Sequence, residues 1–137
     1  MYLNLLNEEQ KELFLEVAVK LSSADGDYSD EERSLINEYC KEMAVEYNKS
    51  LENELRDTAE LVSELSESSE EKEKRIILFE LMGLCYSDGE LHSNEQELLE
   101  NICLDFGMEE EYLEECQKLV KGYFDFQNKA NELIIRG

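Results

Sequence analysis

Two stretches decide the fold of this chain: Ala24-Asp25-Gly26-Asp27-Tyr28-Ser29-Asp30-Glu31-Glu32 and, 63 residues later, Ser87-Asp88-Gly89-Glu90-Leu91-His92-Ser93-Asn94-Glu95. Each has an acidic residue before a glycine, another after it, then an apolar residue, and a glutamate six positions past the glycine. On both sides of each stretch apolar residues recur every three or four positions, the period of an amphipathic helix. Leu6, Leu13, Phe14, Val17, Ala18 and Leu21 precede the first, and Leu35, Ile36, Tyr39, Cys40 and Met43 follow it. Ile77, Leu78, Leu81, Met82 and Cys85 precede the second, and Leu98, Leu99, Ile102, Cys103 and Phe106 follow it. The same shift aligns Leu15 with Leu78, Leu21 with Leu84, Glu32 with Glu95, Leu35 with Leu98 and Cys40 with Cys103. One helix pair buries too little by itself, so two such units are expected to pack on one another.

Outward from these units the chain stays helical. Asn7 with Gln10 and Ser29 with Glu32 have capping-box spacing, and so does Ser68 with Glu71. For the fifth helix both His92/Glu95 and Ser93/Gln96 fit as cap pairs. Leu51, Leu55, Val62 and Leu65 mark a Glu-rich third helix, and 66–71 reads as a polar connection. Gly107 suits the position just past a helix end. Tyr112, Leu113, Cys116, Leu119, Val120, Tyr123, Phe124, Leu133 and Ile134 supply the apolar positions of the remainder, where Gly122 leaves one helix or two open. There is no proline to break a helix and no period-2 strand pattern. The expected fold class is all-α: a single-domain helical bundle over 1–137, of about six to seven helices. It is built on two repeated helix–DG turn–helix units, about 8–47 and 69–108, with C-terminal helices over 109–136.

Charge excludes several functions. With 35 Asp plus Glu against 13 Lys plus Arg, the formal net charge is −22, which opposes contact with nucleic-acid phosphates or an anionic membrane. No apolar run is long enough to insert in a bilayer, and the first residues lack a signal-peptide pattern, so a cytoplasmic location is expected. Cys40, Cys85, Cys103 and Cys116 form no CxxC pair, which suits buried thiols in a reducing compartment. His92, the sole histidine, falls in a surface turn with no nucleophile elbow or phosphate-cradling loop nearby. The chain is therefore expected not to be an enzyme. Glu8-Glu9, Glu70-Glu71 and Glu109-Glu110-Glu111 suit the first turns of helices, where the helix dipole favours negative charge. The tyrosines adjoin the apolar stripes, as core residues with a polar rim do.

Two readings fit the turns. Clustered carboxylates are the donors that hard cations prefer, which makes Asp25, Asp27, Glu32, Asp88, Glu90 and Glu95 candidate ligands for a divalent cation, Ca²⁺ or Mg²⁺. Neither turn is a standard EF-hand, because its glycine register puts Leu21 and Ser23, or Leu84 and Tyr86, at the first two ligand positions. The other reading is structural: the glycines end one helix, and the Ser29/Glu32 pair and its counterpart cap the next. On that reading the chain is a protein–protein interaction module without a metal.

The units Val17-Ala18-Val19-Lys20-Leu21-Ser22-Ser23-Ala24-Asp25-Gly26 and Leu81-Met82-Gly83-Leu84-Cys85-Tyr86-Ser87-Asp88-Gly89-Glu90-Leu91-His92-Ser93-Asn94-Glu95 resemble the TerB family of tellurite-resistance proteins. The same fold is found in the N-terminal region of a membrane-anchored DnaJ-like co-chaperone. The resemblance covers about residues 8–125. It implies a helical bundle that acts as an adaptor in tellurite and other stress responses, without catalysis. It also implies cation binding through Asp25 and Glu32 and through Asp88 and Glu95, with Asp27 and Glu90 as helpers on chemical grounds. The partners expected are proteins with basic surfaces, including a membrane-associated complex.

Overall fold

The computed structural model describes residues 1–23, 29–47, 57–87, 89 and 91–136. Among them the protein is all-helical. A 3-10 turn at Leu3–Leu5 leads into α1 (Glu8–Ser23), α2 (Asp30–Met43), α3 (Thr58–Ser68), α4 (Glu71–Cys85), α5 (Ser93–Asp105) and α6 (Glu110–Arg136). Leu51 and Leu55, expected in the third helix, lie outside the described residues.

The helices begin where backbone N–H groups find acceptors. Asn7 Oδ1 accepts from the Gln10 N–H at 2.8 Å, while Gln10 Oε1 accepts from the Asn7 N–H at 2.9 Å. Gln10 Nε2 then donates to the Ser68 carbonyl at 2.9 Å, tying the start of α1 to the end of α3. The fourth helix corrects the expected cap. Ser68 closes α3 by donating to the Leu65 carbonyl, and Glu70 with Glu73 opens α4, the Glu70 N–H donating to Glu73 Oε1 at 3.1 Å. The polar segment 66–71 thus belongs mostly to the two helices, because α3 continues through Ser68.

Helix ends follow backbone sterics. Gly107 takes φ +69°, with the Met108 N–H reaching back to the Cys103 carbonyl at 3.1 Å, a Schellman closure of α5. Gly89 takes φ +90°, a conformation that favours glycine. The second helix closes the same way on a non-glycine residue: Ala44 stands at φ 58°.

One contiguous core joins the helices. Helix α1 lies against α2, α3 and α4, and α4 also lies against α5 and α6. The residue pairs Leu15 and Leu78, Leu21 and Leu84, Ile36 and Leu99, and Cys40 and Cys103 are all buried. Phe14 meets Tyr39 edge-on at 5.7 Å, and Tyr39 Oη donates to the Glu80 carbonyl at 2.9 Å, linking α1, α2 and α4. All four cysteines are buried thiols.

The region 109–136 is one helix, continuous through Gly122. Leu113, Cys116 and Val120 face the core, whereas Leu119, Tyr123, Leu133 and Ile134 are exposed. At about 1.5 Å per residue α6 is about 40 Å long. Beyond Phe124 it leaves the body of the bundle, and all described side chains from Asp125 on are exposed except the half-buried Ala130.

Candidate functional site

Of the six candidate ligands, Glu32 and Glu95 are described; Asp25, Asp27, Asp88 and Glu90 lie outside the described residues, as do Gly26 and Tyr28. Glu32 and Glu95 occupy the same place in their helices, the third residue of the first turn, and both are buried. Ser29 is the N-cap of α2. Its N–H and its hydroxyl both donate to Glu32 Oε1, at 3.2 and 3.0 Å, and its Oγ accepts from the Glu32 N–H at 3.1 Å. At α5 the cap pair is His92/Glu95: the His92 N–H donates to Glu95 Oε1 at 3.3 Å, and the Glu95 N–H goes to Asn94 Oδ1 at 3.0 Å. His92 itself is exposed.

The carboxylates of Glu32 and Glu95 are oxygen donors of the kind hard cations prefer, and both are engaged in their helix caps. Among the described residues no three of His, Cys, Asp and Glu converge as a metal cage. A complete cage therefore needs carboxylates from the turns themselves.

Beside the first turns of α2 lies a surface that no sequence motif announces. Asp30, Glu31, Ser34 and Glu38 of α2, Ser87 at the second turn, and Tyr123, Phe124 and Gln127 of α6 bound an open cleft of about 460 Å³. Leu35, Tyr123 and Phe124 are shared with an adjoining groove of about 350 Å³ between α2, α4 and α6, which Tyr39, Phe79, Gly83, Leu119 and Val120 also line. The result is an apolar floor with Asp30, Glu31 and Glu38 exposed at its rim. Its apolar members come from three helices far apart in sequence, so no local motif announces it.

A buried carboxylate closes the other end of this groove. Glu80 of α4 lies 3.2 Å from the Met1 ammonium, which also pairs with Glu42 of α2 at 2.7 Å. The Tyr2 N–H donates to Glu80 at 3.3 Å, and the Leu3 N–H to Glu42 at 2.9 Å. Burial pushes the Glu80 carboxyl above its ordinary value of 4.5, against the pull of the ammonium. The folded state therefore holds the Glu80 proton more tightly than the unfolded chain. This stabilisation is complete below the ordinary carboxylate range and is lost as pH rises through the raised value. Glu80→Gln should consequently gain stability relative to the parent as pH rises from about 4.5 to 7. Urea denaturation of both proteins across that range checks this; a difference that does not change with pH would contradict it.

A cleft of about 570 Å³ at the start of α4, against the α5–α6 connection and Tyr112, is polar and its cations are engaged. Arg75 pairs with Glu71 at 2.7 Å, and Lys74 Nζ donates to the Phe106 carbonyl at 3.4 Å. Nearby, burial pushes the Cys103 and Cys116 thiols up, away from the thiolate a nucleophile needs.

The family model described as "Tellurite resistance protein TerB" matches residues 41–118, more than half of the chain. The chain belongs to the TerB family. The fold agrees: the protein is similar to a tellurite resistance protein from Nostoc punctiforme, whose crystal structure superposes with a TM-score of 0.65 at 20% sequence identity. That match covers 96% of this chain and 84% of the other. None of the curated proteins matches the chain. As in the TerB-like plan expected from sequence, the structure consists of helices alone among its described residues, and no described helix is long and apolar enough to cross a membrane.

Proposed function

We propose that this TerB-family chain is a non-enzymatic, cytoplasmic adaptor of the tellurite and chemical-stress response, which seats basic amphipathic segments of partner proteins in the groove between α2, α4 and α6. The observation that carries the reading is the apolar floor bordered by Asp30, Glu31 and Glu38. Such a surface buries the apolar face of a helix while its acids meet the flanking lysines, a known mode of helix recognition. The charge of −22 speeds the encounter with cationic partners, including those of a membrane-associated complex. A labelled Leu/Lys amphipathic peptide should therefore bind, and more weakly as salt rises; equal binding at low and high salt would sink the electrostatic part.

In the same proposal Glu32 and Glu95, with Asp25, Asp27, Asp88 and Glu90, hold a divalent cation, Ca²⁺ or Mg²⁺. A bound cation would neutralise carboxylates beside the rim and fix the turns. The hydrogen bonds of Glu32 Oε1 favour a second reading, in which the turns only cap helices and the chain is an interaction module without a metal. Calorimetric titration with Ca²⁺, Mg²⁺, Mn²⁺ and Zn²⁺ separates the two. The cation reading expects saturable heat that disappears in Asp25→Asn/Asp88→Asn. The capping reading expects no heat, and a stability loss on the order of 1 kcal/mol in Ser29→Ala, which removes the α2 cap.

A further inference from the structure

The exposed part of α6 differs in both charge and surface from the rest of the chain. Residues 117–136 contain Lys118, Lys121, Lys129 and Arg136 against Asp125 and Glu132, a net charge of +2; residues outside that segment carry 33 acids against 9 cations, a net charge of −24. Leu119, Tyr123, Phe126, Ala130 and Leu133 follow one another at spacings of four, three, four and three, the heptad seam of a helix that packs along another helix. Phe126 and Leu133 are 71% and 74% exposed. This seam is distinct from the stripe of Leu113, Cys116 and Val120 that α6 buries in its own bundle.

We infer that the occupant of this seam is a second copy of the chain, and that α6 pairs with its counterpart antiparallel across a two-fold axis near Phe126. Charge selects both partner and direction. A parallel pair would set two bodies of −24 side by side. An antiparallel pair sets the two bodies on opposite sides of the axis, their centres about 27 Å apart along the paired helices and so beyond the screening length of about 8 Å, and lays each basic segment along the other copy's acidic rim. Each seam is then covered by the other, and Leu133 with Ile134 of one copy reaches the groove floor at Leu35, Phe79 and Val120 of the other. The pairing also explains how the end of α6 stays helical, since so short a length of isolated helix is marginal in water.

The landing of the tail and the part of the seam at Leu119 and Tyr123, which also line the groove, rest on the groove reading above; the seam from Phe126 to Leu133 does not. Sedimentation equilibrium of the whole chain, without metal or peptide, should give twice the chain mass at about 100 µM. Phe126→Glu, a substitution at an exposed position, should weaken the association at least about tenfold with the helical circular dichroism of the bundle retained. Lys121→Glu/Lys129→Glu should weaken it too, through charge alone. Spin labels on Ile135→Cys, with the native thiols buried, should lie about 27 Å apart along the pair; a parallel pair would bring them to within about 10 Å. A single-chain mass at that concentration overturns the inference, as does association that Phe126→Glu leaves intact, or labels in close contact. If the Leu/Lys peptide binds a chain that stays monomeric, the self-pairing fails and the adaptor groove stands. If the chain pairs and Phe126→Glu, which frees the groove of the second copy's tail, still binds no peptide, the seam stands and the adaptor reading fails.

Discussion

Replacing Phe14 by alanine is expected to lower the stability of the fold by about 3–5 kcal/mol. Phe14 is fully buried on α1, the helix that lies against α2, α3 and α4 at once, so the cavity left by its ring opens where several elements meet. The ring also contacts Tyr39 edge-on, and Tyr39 spends its hydroxyl on the Glu80 carbonyl. That bond fixes the tyrosine and keeps it from turning into the vacancy. A domain of this size is stable by about 5–15 kcal/mol, so the variant forfeits a large share of the total. Leu104→Ala is the matched control: Leu104 is exposed on α5 and should change stability by no more than about 0.5 kcal/mol. Urea denaturation decides the matter. A loss under about 1 kcal/mol for Phe14→Ala would mean that the α1 crossing is not the centre of the core.

The second large effect concerns binding. Glu31→Lys/Glu38→Lys reverses two exposed rim charges and should weaken association of the Leu/Lys peptide about tenfold or more at low salt, mainly through the association rate. Raising the ionic strength should bring variant and parent together, because exposed charges are then screened. Leu35→Lys should weaken binding at every salt concentration, since it removes part of the apolar floor. The contrast separates steering at the rim from burial in the groove. A rim variant that binds like the parent at low salt would leave the acids without a role in recognition.

Much of the fold was legible in the sequence because its signals are local. Leu35, Ile36, Tyr39, Cys40 and Met43 recur at helical spacing, and Gly107 supplies the left-handed residue that ends α5. The Asn7/Gln10 and Ser29/Glu32 boxes could be read from spacing alone, and both form. The Ser68/Glu71 pair has the same spacing and does not form, because α3 runs through Ser68 and Glu70 takes the cap. Spacing identifies a possible cap without fixing which of two overlapping frames the packing selects. Helix α6 shows a similar limit. Leu119, Tyr123 and Leu133 are as periodic as the buried Leu113, Cys116 and Val120, and periodicity says which residues share a face but not what covers it. The groove was the least legible feature, since Leu35, Phe79 and Val120 meet only through the tertiary packing of α2, α4 and α6. Glu32 and Glu95 could be found as cap residues because the same glutamate recurs after each Asp-Gly pair, and both carboxylates accept the N–H of their N-cap residue.

On the proposed reading, partner segments dock in the groove between α2, α4 and α6 of this TerB-family protein. Residue-resolved amide shifts in the uniformly labelled chain, followed during titration with the Leu/Lys peptide, test it most directly. The largest shifts are expected to cluster at Leu35, Glu38, Phe79, Gly83, Val120 and Phe124 and to diminish together as salt is added. Shifts centred instead on the polar cleft at Lys74, Arg75 and Tyr112, or no shifts at low salt, would contradict the groove as the binding face.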